Sequence, residues 1–453
     1  MTPLFYLSPI ATVSKLVSLL IFSLISSLGL LSINANAASQ SLSPKTYQAL
    51  NDIQVLLADN KFSEVEEGLK DLEENLTPGF GLALTYQIHA QLFLTQENSP
   101  QALNYFNKAL ALDALKALQA LSLATNVAQL YLANSQIDEA ITVLQVRIEV
   151  AEKEKVGSTS PMAYITLGSA FQLKQDFSNA IIWLRQGIQR SEQPKENWLQ
   201  MLMAAHYQLK QYVEAITVLD QLIVMNETKE EYWLQQASLN QMLNKPKEAL
   251  KVLQLANVRN ILVKEDGLIT LVQLLITEGV PERAGRILLE LLEQEKIELN
   301  EDNWALLASA WLQSRERKQA IEAFINAAES ALQSAEKSLK RIEQVDQTSS
   351  DKTTTDKERA KQVASKLYYR SAQLQFDESD FTGAVSSFIK ARELGLTGKK
   401  VGLSHLIEGS AYFELEEYLQ AKVAFSKALK EPRSTNSAKA WLDYMQQLEV
   451  LQD

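Results

Sequence analysis

The sequence predicts an all-α fold, a tetratricopeptide-like superhelical solenoid of about ten helix–turn–helix repeats closed by a C-terminal capping helix. Three observations carry that prediction. The 453 residues include only 15 Gly and 10 Pro, few for a β-rich or loop-rich fold, and Ala, Leu, Gln, Glu and Lys, all good helix formers, dominate. An index position, Ala in nine cases of ten, recurs at Val65, Ala102, Ala140, Ala180, Ala215, Ala249, Ala284, Ala320, Ala384 and Ala421. Four residues after each stands a large apolar side chain: Leu69, Phe106, Leu144, Leu184, Leu219, Leu253, Leu288, Phe324, Phe388 and Phe425. The spacings are 37, 38, 40, 35, 34, 35, 36, 64 and 37, which is the period of stacked helical hairpins, none able to bury its apolar face alone.

The chain begins differently. Its first 37 residues hold one charge, Lys15, ahead of the apolar run Leu16–Ile33 and the small-x-small site Ala35-Asn36-Ala37. This reads as a secretory signal over residues 1–37, cut after Ala37; the alternative is a retained anchor, since the run could just span a bilayer. No other apolar segment is long enough to span, so no membrane span is expected after cleavage. With no cysteine there is no disulfide and no lipid-anchored thiol. Export without cysteine suits the periplasm of a Gram-negative bacterium. The net charge of −11 lacks basic blocks and argues against nucleic acid as a partner.

The clearest hairpin is Ala163–Gln189. Tyr164, Leu167, Gly168 and Phe171 share one helix face, Lys174-Gln175-Asp176 breaks it, and Ala180, Leu184 and Gly187 form the second stripe. Gly168 and Ala180 are expected where the two helices cross. The register extends to other repeats: small residues prevail twelve before the index, and aromatics stand sixteen before it at Tyr86, Tyr164, Trp233, Trp304 and Tyr368. The pattern of aromatic, Leu-Gly, aromatic, then Ala-x3-Phe resembles the tetratricopeptide repeat over roughly residues 44–432. It is specific for fold and unspecific for function.

The domain reading follows. Residues 38–345 form about eight repeats, beginning with an N-terminal cap near Val65 that lacks the small residues. The repeat at Ala284 is aliphatic, and the repeat at Ala320 has an overlong second helix over Ala320–Val345. Residues 346–356, DQTSSDKTTTD, have no apolar side chain and read as a polar linker. Residues 357–432 supply two further repeats. Residues 433–453 supply the capping helix, whose apolar side is read as Ala440, Trp441, Tyr444, Leu448 and Leu451.

Chemistry is sparse. The three histidines, His89, His206 and His405, lie in different repeats at different positions, so no metal ligand set or catalytic cluster is expected. No catalytic or nucleotide-binding motif occurs. Gly395-Leu396-Thr397-Gly398-Lys399-Lys400 lacks the spacing of a phosphate loop and reads as a turn, as do the carboxylates Glu416-Glu417. No cofactor, no metal and no small-molecule substrate are expected, and the chain is read as non-enzymatic.

The resemblance implies that the first helix of each repeat lines a concave groove, chiefly through the residue after the aromatic and the one four further on. At these twenty positions not one residue is charged. The candidate partner-binding residues are Gln129, Ile165, Ser169, Gln172, Gln200, Tyr207, Leu234, Ser238, Gln273, Ser309, Tyr369 and Gln373. A neutral lining of amides, hydroxyls and apolar groups suits an extended peptide or an amphipathic helix of a protein partner.

A narrower resemblance lies in Tyr232-Trp233-Leu234-Gln235-Gln236, Gly279-Val280-Pro281, Leu394-Gly395-Leu396-Thr397-Gly398-Lys399 and Ala428-Leu429-Lys430-Glu431-Pro432, followed by Ser437-Ala438-Lys439-Ala440-Trp441-Leu442. In this order they resemble exported tetratricopeptide proteins associated with TonB–ExbB–ExbD energy-transduction systems, over roughly residues 230–445. The resemblance implies a periplasmic scaffold accessory to TonB-dependent uptake, binding a TonB-complex component. The alternative is a scaffold in another envelope process, outer-membrane assembly or cell-wall synthesis.

Overall fold

The computed structural model describes residues 42–154, 159–345 and 350–452, so the expected signal peptide lies outside the described residues. Among the described residues there are twenty-one helices and no strand. They fall in two compact units that divide between Glu227 and Thr228. The first contains α1 (Pro44–Ala58), α2 (Phe62–Asn75), α3 (Phe80–Thr95), α4 (Ser99–Ala111), α5 (Ala117–Ala133), α6 (Ile137–Lys153), α7 (Pro161–Leu173), α8 (Phe177–Gln189), α9 (Glu196–Gln208) and α10 (Tyr212–Met225). The second contains α11 (Glu230–Met242), α12 (Pro246–Val258), α13 (Glu265–Thr277), α14 (Pro281–Glu293), α15 (Glu301–Gln313), α16 (Arg317–Val345), α17 (Ser350–Asp377), α18 (Phe381–Glu393), α19 (Lys399–Glu414), α20 (Tyr418–Ala428) and α21 (Thr435–Gln452). Each unit holds five hairpins, and within each unit a hairpin's second helix packs on the first helix of the next.

The index register is the core of both units. All ten index residues, from Val65 to Ala421, are 0% exposed, and the apolar residues four further on are at most 2% exposed. A methyl-sized side chain at the index admits the facing helix, and the large residue one turn later fills the space beside it. In the hairpin of α7 and α8 the atoms nearest a Cβ built on Gly168 belong to Leu184, one turn past Ala180. A Cβ on Gly168 would stand 2.7 Å from Leu184 Cγ and 3.0 Å from its backbone nitrogen.

The turns repeat as faithfully as the core. Five residues before every index, the backbone has positive φ: Asn60, Glu97, Ser135, Gln175, Lys210, Asn244, Gly279, Arg315, Ser379 and Glu416. The next N–H then reaches back to a carbonyl five residues earlier, as from Asp176 to Phe171 (2.9 Å) and from Glu316 to Trp311 (2.9 Å). This is the Schellman closure of a helix, normally built on Gly. Here Gly279 alone among the ten is glycine.

Two sequence expectations shift. The overlong second helix is present as α16, with 29 residues, but its partner α17 begins at Ser350, so residues 350–356 are helical rather than linker. Residues 346–349 lie outside the described residues. Polar side chains do not oppose a helix when its later turns, at Ala364, Tyr368 and Ala372, anchor it in a core with Ala328 and Phe388. The capping helix α21 lies against Phe425 and Ala421 through Trp441, Leu442 and Met445, with Ala438 fully buried, whereas Ala440 and Tyr444 are exposed. Its buried face is therefore rotated from the expected one, with Ala438 and Met445 two turns apart marking it. The side chains of Leu448 and Leu451 lie outside those described.

Buried charges act as inter-hairpin ties. Glu230, 3% exposed, accepts the backbone N–H of Lys264 (3.2 Å), and Glu265 accepts from the Glu298 N–H (3.1 Å) and the Asn303 side-chain amide (2.7 Å). Near the C-terminal end Glu408 receives Arg392 (2.8 Å) and faces His405 (3.0 Å), with Arg392 also donating to Ser404 (3.1 Å).

Candidate partner-binding face

Each first helix buries two adjacent stripes and leaves a third open, because it packs on its own second helix and on the preceding hairpin. In α11 the open positions are Glu231, Leu234, Gln235, Ser238, Gln241 and Met242; in α13 they are Asp266, Ile269, Thr270, Gln273, Ile276 and Thr277. The column eleven before the index recurs on the open faces of each unit. It reads Gln54, Gln91, Gln129, Ser169 and Ala204 in the first unit, and Ser238, Gln273, Ser309, Gln373 and Ser410 in the second. Gln273 is exposed and the other nine are half-buried. All but Ala204 carry an amide or hydroxyl, and none carries a charge.

Of the twelve candidate residues, Gln273 is exposed and Gln129, Ser169, Gln172, Gln200, Tyr207, Leu234, Ser238, Ser309 and Gln373 are half-buried. Local bonds hold several in place. The Gln129 amide reaches the Thr166 hydroxyl at 3.5 Å, joining α5 to α7, and the Gln313 amide donates to Ser309 (3.3 Å). Tyr207 and Tyr212 rings meet at 5.9 Å.

Two candidates belong to the core instead. Ile165 is 4% exposed, and its Cδ1 fills the space over Gly187 of α8, where a Cβ would stand 2.7 Å away. Tyr369 is 6% exposed, its ring edge-on to Phe388 at 5.7 Å. Burial pushes the Tyr369 phenol up from its ordinary value. The position after the aromatic turns toward the second helix wherever that helix offers room, and Leu50 and Thr125, in the same column, are buried too.

The open stripe also starts three residues earlier than the sequence reading placed it. Glu231, Asp266 and Asp302 occupy that first position in α11, α13 and α15, all exposed. The same three-residue step that linked Leu234 to Gln241 would have reached them. Lys264 makes an ion pair with Glu231, whose carboxylate it holds below the usual range.

The histidines are structural. His89 is buried against Glu73 (2.5 Å) and Tyr105 (ring centroids 3.9 Å apart). His206 pairs with Gln211 (2.7 Å), and burial pushes its imidazole below the ordinary value. His405 faces Glu408. Among the described residues no group of three or more His, Asp or Glu could hold a metal ion, and no helix is long and apolar enough to cross a membrane. Clefts among the described residues include two between neighbouring helices. One of about 490 Å³ lies between α4 and α6, where Arg147 is held by Asp113 (2.7 Å) and the Leu110 carbonyl (2.8 Å). The other, about 350 Å³, precedes α19 and is lined by Lys366, Lys399 and Lys400.

No family model matches the chain, and no curated protein sequence does. Solved structures are similar in part. The Naa15/Naa10 complex bound to HypK-THB is 12% identical with a TM-score of 0.48, over 87% of this chain, which spans 65% of that one. YrrB, described as a tetratricopeptide protein with an unusual peptide-binding site, is 16% identical with a TM-score of 0.35, over 44% of this chain and 93% of its own. The C-terminal part of a tetratricopeptide repeat-containing protein from Cytophaga hutchinsonii is 15% identical with a TM-score of 0.36, over 62% of this chain and 95% of its own. By their own helix order and packing, the described residues form an all-helical array of helix–turn–helix hairpins of the tetratricopeptide kind, five in each unit.

Proposed function

We propose that the chain is a non-enzymatic, exported scaffold that binds a peptide or helical segment of a partner protein along the open faces of its first helices. The observation that carries this reading is the column from Gln54 to Ser410, accessible in every hairpin and uncharged throughout, in a chain with 22% charged residues. Solvated helix faces ordinarily carry charge. A column kept neutral, mostly half-buried and furnished with amides and hydroxyls suits contact with another backbone.

The narrower proposal is a periplasmic accessory to TonB-dependent energy transduction and uptake, with a component of that complex as partner. It is supported by the ordered sequence resemblance over residues 230–445. Those segments are packing and turn positions: Tyr232 and Trp233 are 2% and 4% exposed, and Gly279 and Gly395 have φ of 77° and 90°. They speak for shared architecture, and the partner itself has to be trapped. Deleting the gene should impair growth on iron chelates under iron limitation, and affinity capture of the exported chain should recover the TonB complex. Normal uptake in the deletion strain would contradict the narrower proposal. Capture of assembly factors or wall-synthesis enzymes instead would favour the other envelope role.

A further inference from the structure

We infer that hairpins three to five, in the first unit, take a helical segment of the partner whose contacting side carries no charged residue. This rests on the reading that the open first-helix faces bind a protein segment, and it adds which segment these hairpins select. Their first helices pack directly on one another, α5 on α7 and α7 on α9, and the Gln129 amide bonds across to the Thr166 hydroxyl at 3.5 Å. The three helices therefore present one surface. α5 and α7 contain no Asp, Glu, Lys or Arg on any side, and α9 has only Glu196, in its first turn.

A helix uncharged on every side is ordinarily covered on every side. Here two sides are covered by packing within the unit and the third is accessible, with Leu173 52% exposed and Met162, Met201 and Tyr207 half-buried. Methionine and tyrosine among neutral amides make the composition of an interface core rather than of a solvated face. The open faces of the sixth to eighth hairpins differ, since each starts with an exposed carboxylate, Glu231, Asp266 or Asp302. A charged side chain pressed against α5, α7 and α9 would lose its hydration and find no counter-charge beyond the first turn of α9. This surface therefore rejects both signs.

The relief of the surface decides the conformation. Its middle column is Gln129, Ser169 and Ala204, small on α7 and α9; Leu132, Leu173 and Tyr207 stand along one side of it and Met162 on the other. Met162 and Leu173 are eleven residues apart on α7, about 16 Å at 1.5 Å per residue. A helix with its side chains is about 10–12 Å across and fills that width, whereas an extended chain, which needs about 4.8 Å beside a neighbour in a sheet, leaves most of it empty. Three packed helices at intervals of about 8–10 Å extend roughly 20 Å from α5 to α9, the length of about thirteen helical residues.

The test uses the chain from Ala38 onward and fluorescein-labelled peptides of about sixteen residues, long enough to be helical, read by fluorescence anisotropy. One carries Leu, Ala and Gln on its contacting side, two others have Lys or Glu in place of the Gln, and all carry alternating Glu and Lys on the outer side. The neutral peptide should bind equally at low and high salt, and the Lys and Glu peptides about tenfold more weakly. Ser169→Lys should lose the neutral peptide and gain the Glu peptide, a gain that requires a folded chain, whereas Gln145→Lys, exposed on α6, should change neither. Equal binding of the three peptides overturns the neutral selection. Loss from Ser169→Lys without the gain, or equal loss from Gln145→Lys, overturns the placement on these hairpins. Tighter binding of a proline-interrupted peptide with the same contacting residues overturns the conformation, and a dimer of the chain that Ser169→Lys splits makes a second copy the occupant instead. Binding of none overturns the inference itself; the broader reading fails separately, if crosslinks from Gln273 and Gln373 capture no protein in cells.

Discussion

The carboxylate of Glu230 accepts the backbone N–H of Lys264, 34 residues later in the chain, through both oxygens at 3.3 and 3.2 Å. Gly267, one turn into α13, leaves the space this carboxylate occupies, because a Cβ there would collide with Glu230 Oε1. A single acidic residue thus caps a helix of the next hairpin. Burial pushes its carboxyl above the ordinary value of 4.5, with the backbone N–H groups of Lys264 and Val263 opposing the shift.

That direction sets a pH dependence. The folded state holds the Glu230 proton more tightly than the unfolded chain does, so the stability this group contributes is present below 4.5 and falls as pH rises through the folded value. Carboxylates lowered by partners, such as Glu231 beside Lys264, act with the opposite sign. Comparing the protein with Glu230→Gln isolates the one group. Urea unfolding should show the difference in stability, native minus variant, larger at about pH 5 than at about pH 7. Gly267→Ala should destabilise by about 1–3 kcal/mol at either pH by overpacking against Glu230.

Two other glycines separate crowding from backbone strain. Gly168→Ala places a methyl group 2.7 Å from Leu184 Cγ and should cost about 1–3 kcal/mol. Gly279 has no atom within 4 Å of a built Cβ, but its φ is 77°. Gly279→Ala should cost only about 1 kcal/mol, as left-handed strain. In a Leu184→Ala background, itself destabilised, Gly168→Ala should cost less than in the native chain while Gly279→Ala costs the same, as double-mutant cycles on denaturant midpoints would show.

The turns offer the reverse experiment. Lys210 and Arg315 sit at φ of 57° and 66° with exposed side chains, and Lys210→Gly and Arg315→Gly relieve that strain. Each should raise stability by about 0.5–1 kcal/mol in thermal or urea unfolding, whereas Val at either position should lower it.

Glu408 is the hub of a buried ion network, its side chain 8% exposed beside Arg392 at 16%. Glu408→Ala leaves the guanidinium with Ser404 alone and should cost about 3 kcal/mol or more. A double-mutant cycle with Arg392→Met should recover much of that, since the uncompensated charge is then gone.

Much of this architecture was legible because the packing code is local. Ala180 and Leu184 repeat ten times with the same burial, and periodicity alone finds them. Some turns were legible, Lys174-Gln175-Asp176 and Glu416-Glu417 among them, but their positive φ was not: Glu97, Lys210 and Arg315 have no intrinsic taste for it. Gly168 is legible as a small residue at the helix crossing, but that Leu184 supplies its nearest atoms is not. Among the candidate face residues, Ser238 and Gln273 were readable as neutral positions on an open stripe. Ile165 and Tyr369 were misplaced because the residue after the aromatic lies at the border of that stripe, where Gly187 or Phe388 opposite decides which way it faces.

The central claim is that partners are held on the open faces of the first helices. It is tested most directly by placing a photoreactive residue at Gln273 or Gln373 on that face, and at Leu255, 45% exposed on the second helix α12, then irradiating living cells. A discrete protein adduct from Gln273 and Gln373 with none from Leu255 is the predicted result. Adducts from Leu255 with none from the other two positions would contradict it.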